Sequence, residues 1–249
     1  MLLRKTNVRA INAGGACWEE KVRKKKVQTA LLTGRAAQGE RTRQAILEVA
    51  VHVASAAGLE GLTIGRLAAK LAMSKSGLFA HFGSKEELQL ATIAAARSIF
   101  IREVVHPALK AEQGLSRLWK LCDIWLDYVQ REVFEGGCFF AAAAAEFDSR
   151  PGLVRDRIAE IMKEWLGGLE RSIRESQAAG QLQNKIAPAQ LAFEINALEM
   201  GANWSFQLYG DPDAFARARE AILQRLRSLS TKNAPTLALT KRGKRRAAA

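Results

Sequence analysis

The sequence predicts an all-α fold in which a small three-helix domain precedes a larger helical domain. From residue 39 onward, apolar residues recur at spacings of three and four, the period of a helix that is buried on one face. No segment shows the alternation of apolar and polar residues that a half-buried strand requires. Glycine, proline and hydroxyl residues between the apolar segments divide the chain into helices of ordinary length.

Three helices and the start of a fourth are predicted in residues 39–88. The first helix ends at Gly58, a residue type that is common at helix C-termini. Its apolar face is formed by Ile46, Ala50, Val53 and Ala57. Thr63, Ser74 and Ser84 carry oxygens that can accept hydrogen bonds from the first turn of a helix, so we expect them to begin the second, third and fourth helices.

Residues 89–230 are expected to form the larger domain. In residues 115–130, apolar side chains at spacings of three and four predict an amphipathic helix. A long helix is expected to end at Gly180, and Pro188 favours the start of the next because its fixed φ angle suits the first turn. The last helix is expected to end near Ser230.

The positive charge of the chain is concentrated at its ends. The formal net charge is +13, yet residues 39–230 are neutral overall. Residues 1–38 hold nine Lys and Arg against two Glu, and residues 231–249 hold six without an acidic residue. We expect a basic, disordered arm and tail that bind DNA phosphates without reading sequence. For residues 1–38, an extension without function is the alternative.

Several classes of site find no support in the sequence. Cys17, Cys122 and Cys138 are widely spaced, which argues against a zinc site or a disulfide framework. No phosphate-binding loop, metalloprotease motif or nucleophile elbow is present, and no apolar segment is long enough to cross a membrane. We therefore expect a cytoplasmic protein with no catalytic residues, metal or cofactor, and no contact with a membrane.

The segment LTIGRLAAKLAMSKSGLFAHFGSKEEL, residues 62–88, predicts a helix-turn-helix. The helix that follows Ser74 is too short to be stable by itself, but its length fits the DNA major groove, which is about 12 Å wide. Ser74 and Lys75 lie at its N-terminus, which would attract a phosphate group, and Lys85 would provide a second anchor. The expected reading surface comprises Lys75, Ser76, Gly77, Phe79 and His81. A plain helical hairpin with solvated Ser and Lys side chains is the alternative.

These residues, preceded by RTRQAILEVAVHVASAAGLEG, resemble the DNA-binding domain of TetR/AcrR-type transcriptional repressors. GGCFFAAAAAEFDSRPGLVRDRIAE is similar to the C-terminal domain of the same family. The resemblance implies a homodimer that binds a palindromic double-stranded DNA operator and releases it when a small effector binds. It implies DNA contacts by Thr63, Lys75, Ser76, Gly77, Phe79, His81, Phe82 and Lys85. Phe79 and Ala72 depart from the family pattern, which more often has Tyr and Gly there.

The larger domain is expected to bind the effector and to form the dimer. The candidate effector-binding residues are Trp119, Phe139, Phe140, Trp165, Glu199 and Asn203. Aromatic residues at helical spacing are more often core than ligand contacts. We expect an apolar or aromatic effector. The excess of acidic residues in 86–230 is also compatible with a positively charged effector. The last two helices, about 188–208 and 212–229, are expected to pair with their copies across a two-fold axis as a four-helix interface. The apolar stripes expected there are formed by Leu191, Ile195, Leu198, Ala202, Phe215, Ala218, Ile222 and Leu226.

Two other functions remain open at the level of sequence. The basic ends are compatible with a nonspecific architectural DNA-binding protein, which would coat DNA without a preferred site. A helical enzyme that binds a small molecule is less well supported, because no catalytic motif is present. A regulator bound to its operator would be associated with the nucleoid.

Overall fold

The computed structural model describes the backbone of residues 12–239 and the side chains of residues 34 and 36–239. All of its regular elements are helical, which confirms the predicted all-α class. The helices are α1 (Asn12–Ala57), α2 (Ile64–Lys70), α3 (Lys75–Phe82), α4 (Lys85–Phe100), α5 (His106–Ala108), α6 (Leu115–Gln130), α7 (Phe139–Phe147), α8 (Leu153–Ala178), α9 (Pro188–Tyr209) and α10 (Ala214–Leu229). A π-helical turn, Ile101–Val105, continues α4. No helix in the described part of the chain is long and apolar enough to cross a membrane.

The chain divides within α1 into one unit that ends at Ile46 and a second that begins at Leu47. In the first unit, residues 12–38 have a helical backbone where the sequence analysis expects a disordered arm. Lys, Arg, Gln, Ala and Leu dominate this segment, and all five have high helix propensity. The remaining eleven residues of the arm lie outside the described residues.

In the second unit, α2, α3 and α4 begin at the three predicted capping residues. The hydroxyl of Thr63 accepts the backbone N–H of Arg66 at 3.1 Å, and that of Ser74 accepts the N–H of Gly77 at 3.0 Å. Ser84 caps α4 in the same way. Each hydroxyl satisfies one of the N–H groups that a helix leaves unpaired at its start. The sequence prediction of these three helix starts is confirmed.

The turn between α2 and α3 contains a strained residue. Ala72 has a φ angle of 52°, in the left-handed region that favours glycine. The next residue closes the turn, because the N–H of Met73 donates to the carbonyl of Ala68 at 2.9 Å. The alanine that departs from the family pattern therefore occupies a position where glycine would be unstrained.

Helices α6, α8, α9 and α10 form the core of the larger domain, and α4 and α7 pack against α8. Trp125, Tyr128 and Phe215 are among the largest fully buried side chains. A buried ion pair joins α6 to α10, where Arg219 Nε donates to Asp123 Oδ1 at 3.1 Å. The predicted bounds 115–130 for α6 and the predicted start of α9 at Pro188 are confirmed.

The apolar residues predicted for the dimer face of α9 and α10 are wrong, whereas the pairing of these two helices with their copies stays a prediction. Seven of these eight residues are buried within one protomer, at 6% exposure or less, and so are unavailable to a partner: Leu191, Ile195, Ala202, Phe215, Ala218, Ile222 and Leu226. Two helices that pack on each other bury such apolar stripes internally, as α9 and α10 do here.

The beginning of the C-terminal tail is ordered, in contrast to the disorder expected for residues 231–249. The Thr231 N–H donates to the carbonyl of Gln181 at 3.0 Å, and Arg227 Nη2 donates to the carbonyl of Leu237 at 2.7 Å. Leu237 is buried. An apolar side chain and satisfied backbone groups thus hold residues 231–239 on the domain, while 240–249 lie outside the described residues.

Ala72→Gly is expected to stabilise the protein. The left-handed conformation costs an L-residue about 1–2 kcal/mol, whereas the added freedom of glycine in the unfolded chain costs about 0.5–1 kcal/mol. We expect a net gain of about 0.5–1 kcal/mol, measured by thermal unfolding followed by circular dichroism. Ala69→Gly, in the last turn of α2, is the matched control and should lower the melting temperature. Equal melting temperatures for the two variants would contradict the assignment of strain to Ala72.

Candidate functional site

Helix α3 presents one face to the core and the others to solvent. Leu78 and Phe82 are its buried residues, whereas Lys75, Ser76 and Phe79 are exposed. Phe79 is 52% exposed, a high value for an aromatic side chain. The family resemblance predicts that Phe82 contacts DNA, but its side chain is buried in the core, where it anchors α3 instead.

The N-terminus of α3 is shaped by a small hydrogen-bonded cluster. The Ser74 hydroxyl accepts the Gly77 N–H and lies 3.3 Å from the Ser76 hydroxyl. A Cβ at Gly77 would lie 3.0 Å from Ser74 Oγ, so glycine leaves the room that the cap needs. The remaining N–H groups of the first turn point out of the helix start and favour an anion.

Lys85 is not a free cation in this structure. Its Nζ donates to Glu60 Oε1 at 2.5 Å, and Arg150 lies 3.6 Å from the second oxygen of the same carboxylate. The hydrogen bond from Lys85 lowers the pKa of Glu60. Pairs this exposed are worth about 0–1 kcal/mol, so a phosphate could replace Glu60 as the partner of Lys85 at little cost.

A carboxylate of α7 binds the turn that leads into α2. Glu146 accepts the N–H groups of Leu59 and Glu60 at 2.7 and 2.9 Å. Gly58 has a φ angle of 80°, and a Cβ there would lie 2.7 Å from the Glu146 carboxylate. The sequence analysis missed this contact, although the single charge in AAAAAEF is a visible signal.

Two adjoining cavities lie between the helices of the larger domain. The inner cavity has a volume of about 30 Å³ and contains four aromatic residues in its wall. These residues are Phe100, Trp125, Phe140 and Trp165. The outer cavity has a volume of about 390 Å³ and is open at one side. Phe100, Ile161 and Trp165 line both cavities, so they form the wall between them.

The outer cavity combines an apolar wall with a charged rim. Ile101 and Val105 of the π-helical turn belong to the wall, and such turns often occur at functional sites. On the rim, Arg97 pairs with Glu164 at 2.7 Å. The other charged residues of the rim are Arg117, Arg171 and Glu175.

Unsatisfied polar groups are buried around the inner cavity. Both carboxylate oxygens of Glu199, the indole nitrogen of Trp165 and the hydroxyl of Tyr128 have no hydrogen-bond partner among the described residues. Burial raises the pKa of Glu199 well above its usual range, and the facing Trp165 indole lowers it to a smaller extent. Burial also raises the pKa of Cys138 to about 11, so this thiol is inert at neutral pH.

The six candidate effector residues separate into two groups. Phe140 and Trp165 line the inner cavity, and Glu199 faces Trp165. The other three are engaged elsewhere. The Trp119 indole donates to the carbonyl of Ala238 at 3.1 Å, the Phe139 ring lies against Phe134, and Asn203 Oδ1 accepts the Cys138 N–H at 2.9 Å. Phe100 and Trp125, which do line the cavity, were not among the candidates.

Helix α9 carries an apolar stripe that no described part of the chain covers. Phe193, Trp204 and Leu208 are exposed at 66%, 56% and 60%. Ala197 and Gly201 lie between them at helical spacing and are also exposed. We call these five residues the α9 stripe. A Cβ at Gly201 would meet no atom within 4 Å, so the middle of the stripe is open to another surface.

Two family models match the chain. Residues 46–92 match bacterial regulatory proteins of the tetR family, and residues 114–222 match the tetracyclin repressor-like C-terminal domain. The HTH-type transcriptional regulator SrpR of Pseudomonas putida is 24% identical over 151 residues. This match covers 59% of the present chain and 66% of SrpR, slightly less than two thirds of that relative.

Solved structures show the same fold. A TetR transcriptional regulator from Chloroflexus aurantiacus has a TM-score of 0.72 and 22% identity, over 78% of this chain and 98% of that one. AibR, in complex with isovaleryl coenzyme A and operator DNA, has a TM-score of 0.59 and 21% identity, over 76% and 97% of the two chains. At these identities the likeness concerns the fold.

Replacing Glu199 should change how stability depends on pH. The folded state retains a proton on Glu199 that the unfolded chain loses above about pH 4.3. The contribution of this proton to the free energy of unfolding is complete below that pH. It then decreases as the pH rises toward the folded-state pKa, by about 1.4 kcal/mol per pH unit. Glu199→Gln is neutral at every pH and should remove this slope and raise the urea midpoint at pH 8.

Urea unfolding between pH 5 and pH 8 measures this slope for the wild type and for two variants. Glu194→Gln, on the same helix, is the control. The pKa of Glu194 is lowered by its hydrogen bond from Arg225, so its titration lies below this pH range. Parallel pH profiles for the wild type and Glu199→Gln would contradict the prediction.

Proposed function

Because the chain belongs to the TetR family of bacterial regulatory proteins, we propose that it is a ligand-responsive transcriptional repressor. In this proposal a homodimer binds a palindromic operator through α3 and releases it when an effector fills the cavities of the larger domain. The observation that carries the proposal is the exposed polar face of α3, which is held by two buried anchors and a capped N-terminus.

The exposed face of α3 suits a DNA major groove. The first-turn N–H groups and Lys75 can contact phosphate, and Ser76 can bond to a phosphate or a base edge. Phe79 offers an apolar surface that can contact a thymine methyl group. His81, at the end of the helix, is half-buried. The basic ends of the chain would add affinity that does not depend on sequence.

The α9 stripe supports the proposed homodimer. A two-fold interface brings the same patch of both protomers together, and small residues at its centre allow two helices to approach closely. Ala197 and Gly201 are such residues, flanked by exposed aromatic and aliphatic side chains. A palindromic operator requires such a dimer to hold two copies of α3 about one DNA turn, roughly 34–36 Å, apart.

Two connections support a response to an effector. Helix α4 packs on α3 at its N-terminal end and contributes Phe100 to both cavities at its C-terminal end. Helix α7 contributes Phe140 to the inner cavity and holds the turn before α2 through Glu146. An effector that displaces Phe100 or Phe140 would therefore move α3 relative to its position in the DNA-binding form.

Lys75→Glu should weaken DNA binding strongly. It places a negative charge at the start of α3, where a phosphate is expected. We expect a loss of about 10- to 100-fold in affinity for sites that the wild type selects from random double-stranded DNA. Lys163→Glu makes the same charge change on an exposed position of α8 and should retain the affinity. If both variants bind these sites as tightly as the wild type, α3 is not the reading helix.

Gly201→Glu should convert the dimer to a monomer without unfolding it. The protomer has open space at this position, whereas a close helix crossing has none. Sedimentation velocity at micromolar concentration should give a dimer for the wild type and a monomer for the variant. Gly167→Glu, at an equally open helical glycine of α8, should remain a dimer. A monomeric wild type, or a dimeric Gly201→Glu, would overturn the proposed interface.

A further inference from the structure

We propose that the inner cavity binds the positively charged head of an organic ammonium ion, with Glu199 as its counter-ion. This inference rests on the proposed effector response and names the chemical class of the effector. It depends on three observations: the aromatic wall of the cavity, the missing partner of Glu199 and the presence of a larger apolar space beside it.

The wall of the inner cavity suits a cation. Phe100 is perpendicular to Trp165 and to Phe140, with ring centroids 5.3 and 6.1 Å apart, so the cavity presents both faces and edges of rings. Aromatic faces attract a cation through their quadrupole, most strongly where water is excluded. Trp125 completes the set, which gives four rings around a small volume.

The two buried carboxylates of this domain differ in how they are compensated. Asp123 is 1% exposed and pairs with Arg219, so the fold supplies its counter-ion. Glu199 is fully buried, and none of the described residues bonds its oxygens. A buried charge without a partner costs several kcal/mol, so the ionised form of Glu199 requires a positive charge that the described residues do not provide.

None of the described residues supplies a positive charge that pairs with Glu199. The titratable groups near Glu199 are the thiols of Cys122 and Cys138, which are neutral, and Asp123 beyond Cys122 on α6. Trp165 faces it from α8 with an indole N–H. On α10, Arg219 is bound to Asp123 and to Gln130. Glu199 faces Trp165 and lies close to Cys138, and both of these residues line the inner cavity, so a cation bound there would lie beside its carboxylate.

The sizes of the two cavities suit a ligand that has a small charged head and a larger apolar body. About 30 Å³ holds about two water molecules, and the thioether side chains of Met162 and Met200 in its wall can move to enlarge it. The outer cavity, more than ten times larger, would hold the apolar body of the ligand against Ile101 and Val105. Arginines on its rim disfavour a cation there, which directs the positive head inward.

Binding would be coupled to the loss of one proton. Burial favours the protonated form of Glu199 in the free protein, and the complex pairs its carboxylate with the ammonium ion, so the proton passes to the buffer. The affinity should therefore increase about tenfold per pH unit below the pKa of free Glu199. A neutral ligand of the same shape would show no such dependence.

The test compares choline with its neutral isostere 3,3-dimethylbutan-1-ol, using the full chain and its tryptophan fluorescence. We expect choline to bind at least about tenfold more tightly at pH 8, and more tightly at pH 8 than at pH 6. Glu199→Gln should abolish this preference, whereas Glu194→Gln should keep it. Equal binding of the two probes, no binding of choline, or an unchanged preference in Glu199→Gln would overturn the inference.

A parallel measurement of DNA binding separates this inference from the proposed function. If choline binds as expected but leaves the affinity for selected DNA unchanged, the cation site stands and the effector response fails. If the protein binds its selected DNA but shows no preference for choline, the regulator stands and the cation site fails.

Discussion

Helices α2 and α3 have seven and eight residues, which is too few for a helix to persist in water. The DNA recognition proposed for them depends on how they are held. Hydroxyl caps satisfy their first turns, and Leu78 and Phe82 fix α3 to the core. The chain before α2 is held from outside the helix-turn-helix, by Glu146 of α7 and by Gln89 of α4, whose side chain donates to the Leu59 carbonyl at 3.0 Å. The reading face of α3 is therefore positioned by the larger domain as well as by its own neighbours.

This dependence explains how a distant cavity can affect α3. A two-helix element with its own large core would keep its position whatever happened in the rest of the protein. Here α4 and α7 are each a single helix with one end at the cavities and the other at the helix-turn-helix. Because a helix transmits displacement along its length better than a loop, a change at Phe100 or Phe140 reaches α3 through two rigid elements.

The sequence predicted the features that depend on local chemistry. Helix caps, glycine stops and apolar periodicity act within a few residues, and they placed α2, α3, α4 and α6 correctly. It could not say which of two apolar faces of α9 is buried, because both Leu191 and Phe193 are apolar and only packing against α10 decides between them. Nor could it identify Trp119 as the anchor of the tail, a contact that spans 119 residues. Phe140 and Trp165 line one cavity and Glu199 faces Trp165, whereas Phe100, which lines the same cavity, was not among the candidates.

The two buried carboxylates of the larger domain have different roles: Asp123 is part of a structural ion pair, whereas Glu199 has no such bond. Asp123 with Arg219 and Gln130 forms a satisfied polar group that joins α6 to α10 and is part of the structure of the domain. Glu199 contributes no such bond, and a glutamine or a leucine would fill its space without a titratable group. Helix α9 carries the uncompensated carboxyl group of Glu199 on one face and the uncovered α9 stripe on another. A stable isolated protomer needs neither of these two features. Both features are accounted for when α9 is the element at which an effector and a second protomer meet the fold.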